Sequence, residues 1–422
     1  MGAWDHLNEP RELLPLLTHP ENETISGIVF QLLVELRATS GRQELRAVQE
    51  HLASALIDVE HRYGAARQQQ KRTGTDPFAA LFWRRACVQL RAVGDAIAWR
   101  FLDFRRQWVL LHGRNPHPGI MSDKPGFDDE VAAFIGHWDA GEPTLFNALT
   151  NCITIGDLLI ADGEMLTNME VKRSPGRSRR EQTARGRTLV HQINEEPVVN
   201  LPGGQVHVLE SDIPLVSMWS GADRPIQRAL HDGVAGWVPT PGVAVMFTSW
   251  PVLHALGEEA AEHAIEAARA RIGEAVGYDS HRVPLSSGDL PYRAVPIASI
   301  NVAPMSIYPI QPEHAAALIT GRVVFVTEIF IDRIVDEIRA EGLAVENLLL
   351  DIPVGELPQT ILRATLGRTR SSIHRNVLHQ LAYELIDPTV WARAYASTLS
   401  PPGQSRQWGA HVCLSNEGAV WR

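Results

Sequence analysis

Residues 152–194 read CITIGDLLIADGEMLTNMEVKRSPGRSRREQTARGRTLVHQIN, and the fold turns on this stretch. Here the apolar pattern changes from helical spacing to alternation. Asp162-Gly163 lies between two alternating runs, which is the strongest short-range signal of a β-hairpin. With Asp162-Gly163 as the two-residue turn, Ala161 faces Glu164, Asp157 faces Asn168 and Ile155 faces Glu170. Strand side chains alternate, so Asp157, Asn168, Glu170 and Lys172 project from one face. Leu158, Ile160, Met169 and Val171 line the other. Asp157 and Glu170 become diagonal neighbours, about 5–8 Å apart at their Cβ atoms.

Two carboxylates this close repel unless a cation bridges them. A hard, oxygen-ligated ion such as Mg²⁺ or Mn²⁺ suits Asp157, Glu170, the Val171 carbonyl and waters. Such an ion acidifies a bound water and neutralises charge growing on a phosphate. Lys172 is placed to orient that water or to meet the developing negative charge. After the hairpin, Ser178 and Glu181 form a Ser-x-x-Glu capping box that starts a helix near Arg179, with Gln182, Arg185, Leu189 and Ile193 on one stripe. Residues 170–187 hold Lys172, Arg173, Arg177, Arg179, Arg180, Arg185 and Arg187 against Glu170 and Glu181, a net +5 in a chain of −10. That patch suits a phosphate backbone. Residues 83–114 carry the same net +5, from Arg84, Arg85, Arg91, Arg100, Arg105, Arg106 and Arg114 against Asp95 and Asp103.

Gly156-Asp157, a hairpin, Glu170-Val171-Lys172 and a glutamine-bearing helix together resemble the PD-(D/E)XK nuclease superfamily, over about residues 80–200. The resemblance implies a restriction-endonuclease-like core, a mixed sheet flanked by helices. It implies that Asp157 and Glu170 hold Mg²⁺ and that Lys172 assists the attacking water. It also implies a further acidic ligand from a helix: Glu130 is the first candidate and Asp95 the second. Gln182 is similar to the glutamine that follows the motif in several branches. Glycine stands where the family name has proline.

Outward from this core the expected class is α/β (α+β). Residues 1–75 read as a helical region, with IVFQLLVEL and then Leu45, Val48, Leu52, Leu56 and Val59 at helical spacing. The polar run Arg67 to Asp76 is expected to be a linker. Phe82, Ala86, Leu90, Val93, Ile97, Phe101 and Phe104 mark a second long helix; Asn115 to Phe127 is a proline-rich loop, and Asp128 to Trp138 a short helix. Domain boundaries are placed at 1–75, 76–200 for the nuclease-like core, and 201–422 for a further α/β region. In the last, strands are expected at Val206 to Leu209, Val243 to Thr248 and Val323 to Val326, with a helix over Val252 to Ala275. Leu357 to Arg375 carries Arg363, Arg368, Arg370 and Arg375 and no acid; it reads as a surface helix pair, or as a DNA-contacting helix-turn-helix.

Composition excludes several classes. The chain has 422 residues, 45% hydrophobic and 21% charged, in the ordinary globular range. No run of 18 apolar residues occurs, so no membrane partner is expected. The N-terminal residues lack a signal-peptide pattern, and Cys87, Cys152 and Cys413 form no Cys-x-x-Cys pair, which fits a cytoplasmic location. No nucleotide-binding glycine fingerprint, nucleophile elbow or His-Glu-x-x-His motif occurs. Of 39 basic residues only Lys71, Lys124 and Lys172 are lysines. Lysine is a compact point charge with a movable pKa, arginine a permanently charged fork, so each lysine invites a question. Lys172 stands where water activation needs it. Lys124, in the loop ahead of Glu130, is the other one to test. The expected function is metal-dependent hydrolysis of nucleic acid, most simply DNA, with the flanking regions serving target selection, homodimerisation or a partner protein. The alternative is a non-catalytic nucleic-acid-binding or regulatory protein on the same fold, and a third class is a protein-binding scaffold.

Overall fold

A computed structural model describes residues 14–74, 77–105, 108–109, 120–122, 124–153, 155–162, 165–171, 198–201, 204–207, 215–277, 282–286, 303–348, 360–367, 369–374 and 381–399. The chain divides into two compact units. One holds Met1–Thr18, Leu209–Tyr292 and Tyr308–Glu417; the other holds His19–Val208, Arg293–Ile307 and Gly418–Arg422.

After a short helix α1 (Leu14–Leu17), the unit that carries the motif residues begins with α2 (Asn22–Ala38), α3 (Leu45–Thr73) and α4 (Pro77–Phe101). Leu45, Val48, Leu52, Leu56 and Val59 are buried on α3, and Phe82, Ala86, Leu90, Val93 and Ile97 on α4, as the helical spacing requires. The expected linker is different: α3 runs through Arg67 to Thr73 and closes at Gly74 in the left-handed conformation. Arg, Gln and Lys are good helix formers, so the polarity of that run reports exposure and not a break in structure. Then come α5 (Phe127–Asp139), β1 (Thr144–Phe146), β2 (Leu158–Asp162), β3 (Met165–Met169), β4 (Val198–Leu201) and β5 (Gly204–His207). The first three strands form one antiparallel sheet in the order β1-β2-β3, and β4 pairs with β5.

Burial on both faces marks β2 as the central strand: Leu158, Leu159, Ile160 and Ala161 are all buried. Edge strand β1 has its outer hydrogen-bonding groups met by a side chain of α3. Gln49 donates Nε2 to the Thr144 carbonyl (3.0 Å) and accepts from the Phe146 N–H (2.9 Å). A buried amide thus stands in for part of a fourth strand, meeting one carbonyl and one N–H of that edge. Behind the sheet, α4 lies against the 3-10 turn Asn147–Leu149 at Gly94, where an added Cβ would sit 1.9 Å from the Leu149 carbonyl oxygen. Neither backbone can yield cheaply, so Gly94→Ala should destabilise the protein by at least about 1–3 kcal/mol, the usual range for overpacking. Chemical denaturation checks this; an unchanged midpoint would mean that the turn is free to move off the helix.

The other unit contains α6 (Asp223–Asp232), β6 (Val234–Thr240), β7 (Val243–Thr248), α7 (Trp250–Leu256), α8 (Glu258–Val276), β8 (Arg282–Ser286), α9 (Pro312–Thr320), β9 (Val324–Phe330), α10 (Ile331–Ala340), β10 (Ala344–Asn347), β11 (Thr360–Leu366), β12 (Thr369–His374) and α11 (Pro388–Thr398). Its larger sheet has the order β6-β7-β9-β8, and β10-β11-β12 form a smaller one. β7 and β9 are buried along their whole length, which is why VAVMFT and VFVTEIF are apolar runs with little alternation. Both are followed by helices. The helix predicted over Val252 to Ala275 is two helices, parted at Gly257, whose φ of 86° lies outside the helical region.

Two expectations about architecture need correction. Every strand pairing among the described residues is antiparallel, so the arrangement is α+β and the mixed sheet is not seen. The segment Leu357 to Arg375 contains the hairpin β11–β12, not a helix pair or helix-turn-helix. Its Thr and Ile content and the alternation around Gly367 (φ 58°) are β signals that a count of arginines overlooks.

Candidate metal centre

The β2–β3 hairpin forms, but its register differs from the expected one. Ala161 pairs with Leu166 and Asp162 with Met165, which leaves Gly163-Glu164 as the connection, outside the described residues. Gly-x is itself a favoured hairpin pair, so the sequence offers two adjacent turns, one residue apart. The difference moves the partner strand by two residues, and alternation therefore keeps each side chain on its face. It also moves Glu170. Carried one residue beyond the last pair, Leu158 with Met169, the observed register sets Asp157 against Glu170 and not against Asn168.

Asp157 is delivered by a local kink. The Asn147 side chain donates to the carbonyls of Ile155 (3.0 Å) and Gly156 (3.2 Å), and its N–H donates to the Asp157 carbonyl (3.1 Å). The Asp157 N–H donates to the Met169 carbonyl (2.8 Å). Gly156 has φ +78°, a value closed to proline, whose ring holds φ near about −65°. The Asp157 carboxylate, 14% exposed, then accepts from the Val171 N–H at Oδ2 (2.9 Å) and from Lys124 Nζ at Oδ1 (3.0 Å).

Glu130 comes to the same place from α5. The first turn of this helix carries Asp128, Asp129 and Glu130, all favourable at a helix N-terminus, yet they separate by burial. Asp128 is exposed and Asp129 half-buried, whereas Glu130 is only 2% exposed. Glu130 Oε1 lies 2.6 Å from Lys124 Nζ, and among the described residues Glu130 Oε2 is buried and meets no donor, while the Glu130 carboxyl is also close enough to that of Asp157 to share a proton with it. One ammonium therefore joins the carboxylates of a helix and a hairpin.

The electrostatics follow from this geometry. Burial raises the Glu130 pKa most; the Lys124 hydrogen bond opposes the rise, and the nearby charge of Asp157 adds to it, leaving the carboxyl above its usual range. Burial works against the Lys124 ammonium, but its bonds to Glu130 and Asp157 outweigh this and hold its pKa above the ordinary value. A carboxyl with a raised folded-state pKa contributes stability below its unfolded value and loses it as pH rises through the folded value. The ionised form of Glu130 is therefore less compatible with the fold than the protonated form. Glu130→Gln should melt at the same temperature as the wild type or higher at pH 7–8 in EDTA. A clearly lower melting temperature would mean that the Lys124 bridge outweighs the burial of charge.

Lys124 is held in reach by a residue that the sequence does not advertise. Glu60, buried on α3, accepts from the Met121 and Ser122 N–H groups at Oε2 (2.8 Å each) and pairs through Oε1 with Arg91 of α4 (2.7 Å). Arg91 Nε in turn donates to the Ala148 carbonyl (3.1 Å), within the turn that carries Asn147. One buried ion pair thus fixes both the loop of Lys124 and the approach to Asp157. The signal available in the sequence is an acid four residues after Leu56, on the apolar stripe of α3.

The remaining candidates divide plainly. Asp95 is not at the site: it is buried and accepts from the Asn151 N–H (2.6 Å), the Cys152 N–H (2.8 Å) and Asn151 Nδ2 (3.0 Å), holding the segment before the hairpin. Glu170 and Val171 are half-buried at the end of β3. Lys172, Gln182, Arg173, Arg177, Arg179, Arg180 and Arg185 lie outside the described residues, as do Ser178 and Glu181 of the capping box. Of the arginines of residues 83–114, Arg85, Arg91 and Arg100 are buried, Arg100 donating to the Leu36 and Thr39 carbonyls, Arg84 is exposed, and Arg106 and Arg114 lie outside the described residues. Among the described residues no three His, Cys, Asp or Glu side chains gather as a metal-ligating group, and no helix is long and apolar enough to cross a membrane. A groove of about 610 Å³ lies between α3 and α5, lined mostly by apolar side chains such as Ile57, Val131 and Phe146; neither Glu130 nor Asp157 lines it. No protein-family model, curated protein or solved structure matches the chain.

Proposed function

We propose that this protein is a metal-dependent phosphodiesterase acting on nucleic acid, most simply DNA, with a site of the PD-(D/E)XK kind. The observation that carries this reading is the meeting of Glu130 and Asp157, from separate elements, on one cation, with a Glu130 oxygen buried and, among the described residues, without a donor. Burial of an acceptor without a donor costs about 1–3 kcal/mol, more when it is charged, so its persistence calls for a use. All-oxygen donors suit Mg²⁺ or Mn²⁺. Asp157, Glu130, Glu170 and the Val171 carbonyl would hold the ion, with Asp157 aimed by the Val171 N–H. Bound there, it would supply an acidified water and neutralise charge on the phosphate. Lys172 would orient the attacking water and Gln182 the same water or the scissile phosphate. Arg173, Arg177, Arg179, Arg180 and Arg185 would track the backbone of the nucleic acid. The helical N-terminal region and residues 201–422 would serve target selection, self-association or a partner protein.

Plasmid, linear and single-stranded DNA and RNA, each with Mg²⁺, Mn²⁺ or EDTA, test this. Cleavage that needs the metal supports the reading. Salt-sensitive binding without cleavage would favour a non-catalytic nucleic-acid-binding or regulatory protein. Neither cleavage nor binding on any substrate would end the nucleic-acid reading.

A further inference from the structure

We infer that Lys124 is a tethered cation that holds the metal position in the empty site and is displaced when a divalent ion enters. This rests on the metal-site reading above. Three observations support it. The ammonium lies within 3.0 Å of both Glu130 Oε1 and Asp157 Oδ1, the two carboxylates that come from different elements, so it stands where a bridging ion would. Among the described residues Glu130 Oε2 is buried and meets no donor, so the single ammonium leaves one oxygen that an ion with more coordination positions can use. Finally, Lys124 is 44% exposed while Glu130 is 2% exposed: the lysine is at the mouth and the acid at the floor. A four-carbon stem at the mouth can swing into water and keep its charge solvated, whereas neither carboxylate can leave.

Such an occupant has two consequences. Without metal it screens the repulsion between Glu130 and Asp157. With metal it must be expelled, so the apparent affinity is lowered by the cost of breaking both contacts. The released ammonium stays on the loop beside the site, where it can meet an anionic substrate.

The test reads metal binding, not cleavage. Free Mn²⁺ is followed by electron paramagnetic resonance as it is titrated with wild type, Lys124→Met, Lys124→Arg and Asp157→Asn, the fold of each being checked by circular dichroism. Lys124→Met should bind Mn²⁺ about tenfold tighter than wild type or better, the scale expected for losing a partly buried charge pair. Lys124→Arg should not bind tighter, and Asp157→Asn should lose binding. In parallel, acetylation of Lys124 by a soluble amine-reactive ester should be slow in EDTA and several-fold faster in Mg²⁺, with exposed Lys71 as the internal reference. If Lys124→Met binds no tighter while Asp157→Asn loses binding, the displaced-lysine inference is wrong and the metal site stands. If neither wild type nor Lys124→Met binds Mn²⁺, both fall. Equal acetylation of Lys124 with and without Mg²⁺, alongside measurable Mg²⁺ binding, would also overturn the displacement.

Discussion

Asp157→Asn should reduce metal-dependent cleavage by about 10³-fold or more while leaving the fold intact. The magnitude follows from the several kcal/mol that a bound metal contributes to a phosphoryl-transfer transition state, each 1.36 kcal/mol being about tenfold in rate. Asparagine keeps the size of the side chain and an acceptor oxygen for the Val171 N–H, so the kink at Gly156 and the hairpin should persist. What it removes is the charge opposite Glu130. Single-turnover cleavage at saturating Mg²⁺, with a thermal melt as control, separates the two effects. Residual activity within about tenfold of wild type would place the catalytic carboxylates elsewhere.

A stability loss of about 3–5 kcal/mol should follow Glu60→Ala, the range for breaking a buried ion pair by removing one partner. Three groups lose their acceptor at once: Arg91, and the N–H groups of Met121 and Ser122. The guanidinium left behind is buried and keeps a bond to the Ala148 carbonyl but no carboxylate. The loop of Lys124 also loses its anchor, so the variant should show raised hydrogen exchange at 121–126 even where the protein is still folded. Urea denaturation with exchange mass spectrometry measures both. A loss below about 1 kcal/mol would mean that the pair is solvated in solution.

These two residues also show how legibility in sequence divides. Asp157 was readable because strand alternation is strict: once the apolar runs around Asp162-Gly163 are seen as a hairpin, its face is assigned whichever of the two adjacent turns forms. Glu130 was readable as a candidate, from an acid on a short helix ahead of the hairpin. Its separation from Asp128 and Asp129 was not, because all three suit a helix N-terminus and only tertiary burial tells them apart. The position of Lys124 depends on an acceptor on α3, 61 residues from Met121 in sequence. No local pattern carries that information. Gln49 is hidden likewise, a polar residue on an apolar helix stripe whose partner is the edge of a strand about 95 residues on.

The misread segments have simpler causes. Arg67 to Thr73 is polar and helical, and polarity speaks to exposure alone. Over Thr360 to His374 the arginines point to a helical surface, but the β-branched residues favour the strands that form. The basic count over residues 83–114 included Arg85, Arg91 and Arg100, which are buried. A count of charges along the chain cannot distinguish a guanidinium facing solvent from one bonded to a backbone carbonyl. Lys172 and the arginines after it belong to the sequence reading alone.

The central claim, that Glu130 and Asp157 form a divalent-metal site, is tested most directly by anomalous scattering from crystals soaked in Mn²⁺. The expected result is an anomalous peak in contact with both carboxylates, with the Lys124 amine moved off them. An empty position at saturating Mn²⁺, with Lys124 still joining Glu130 to Asp157, would contradict it.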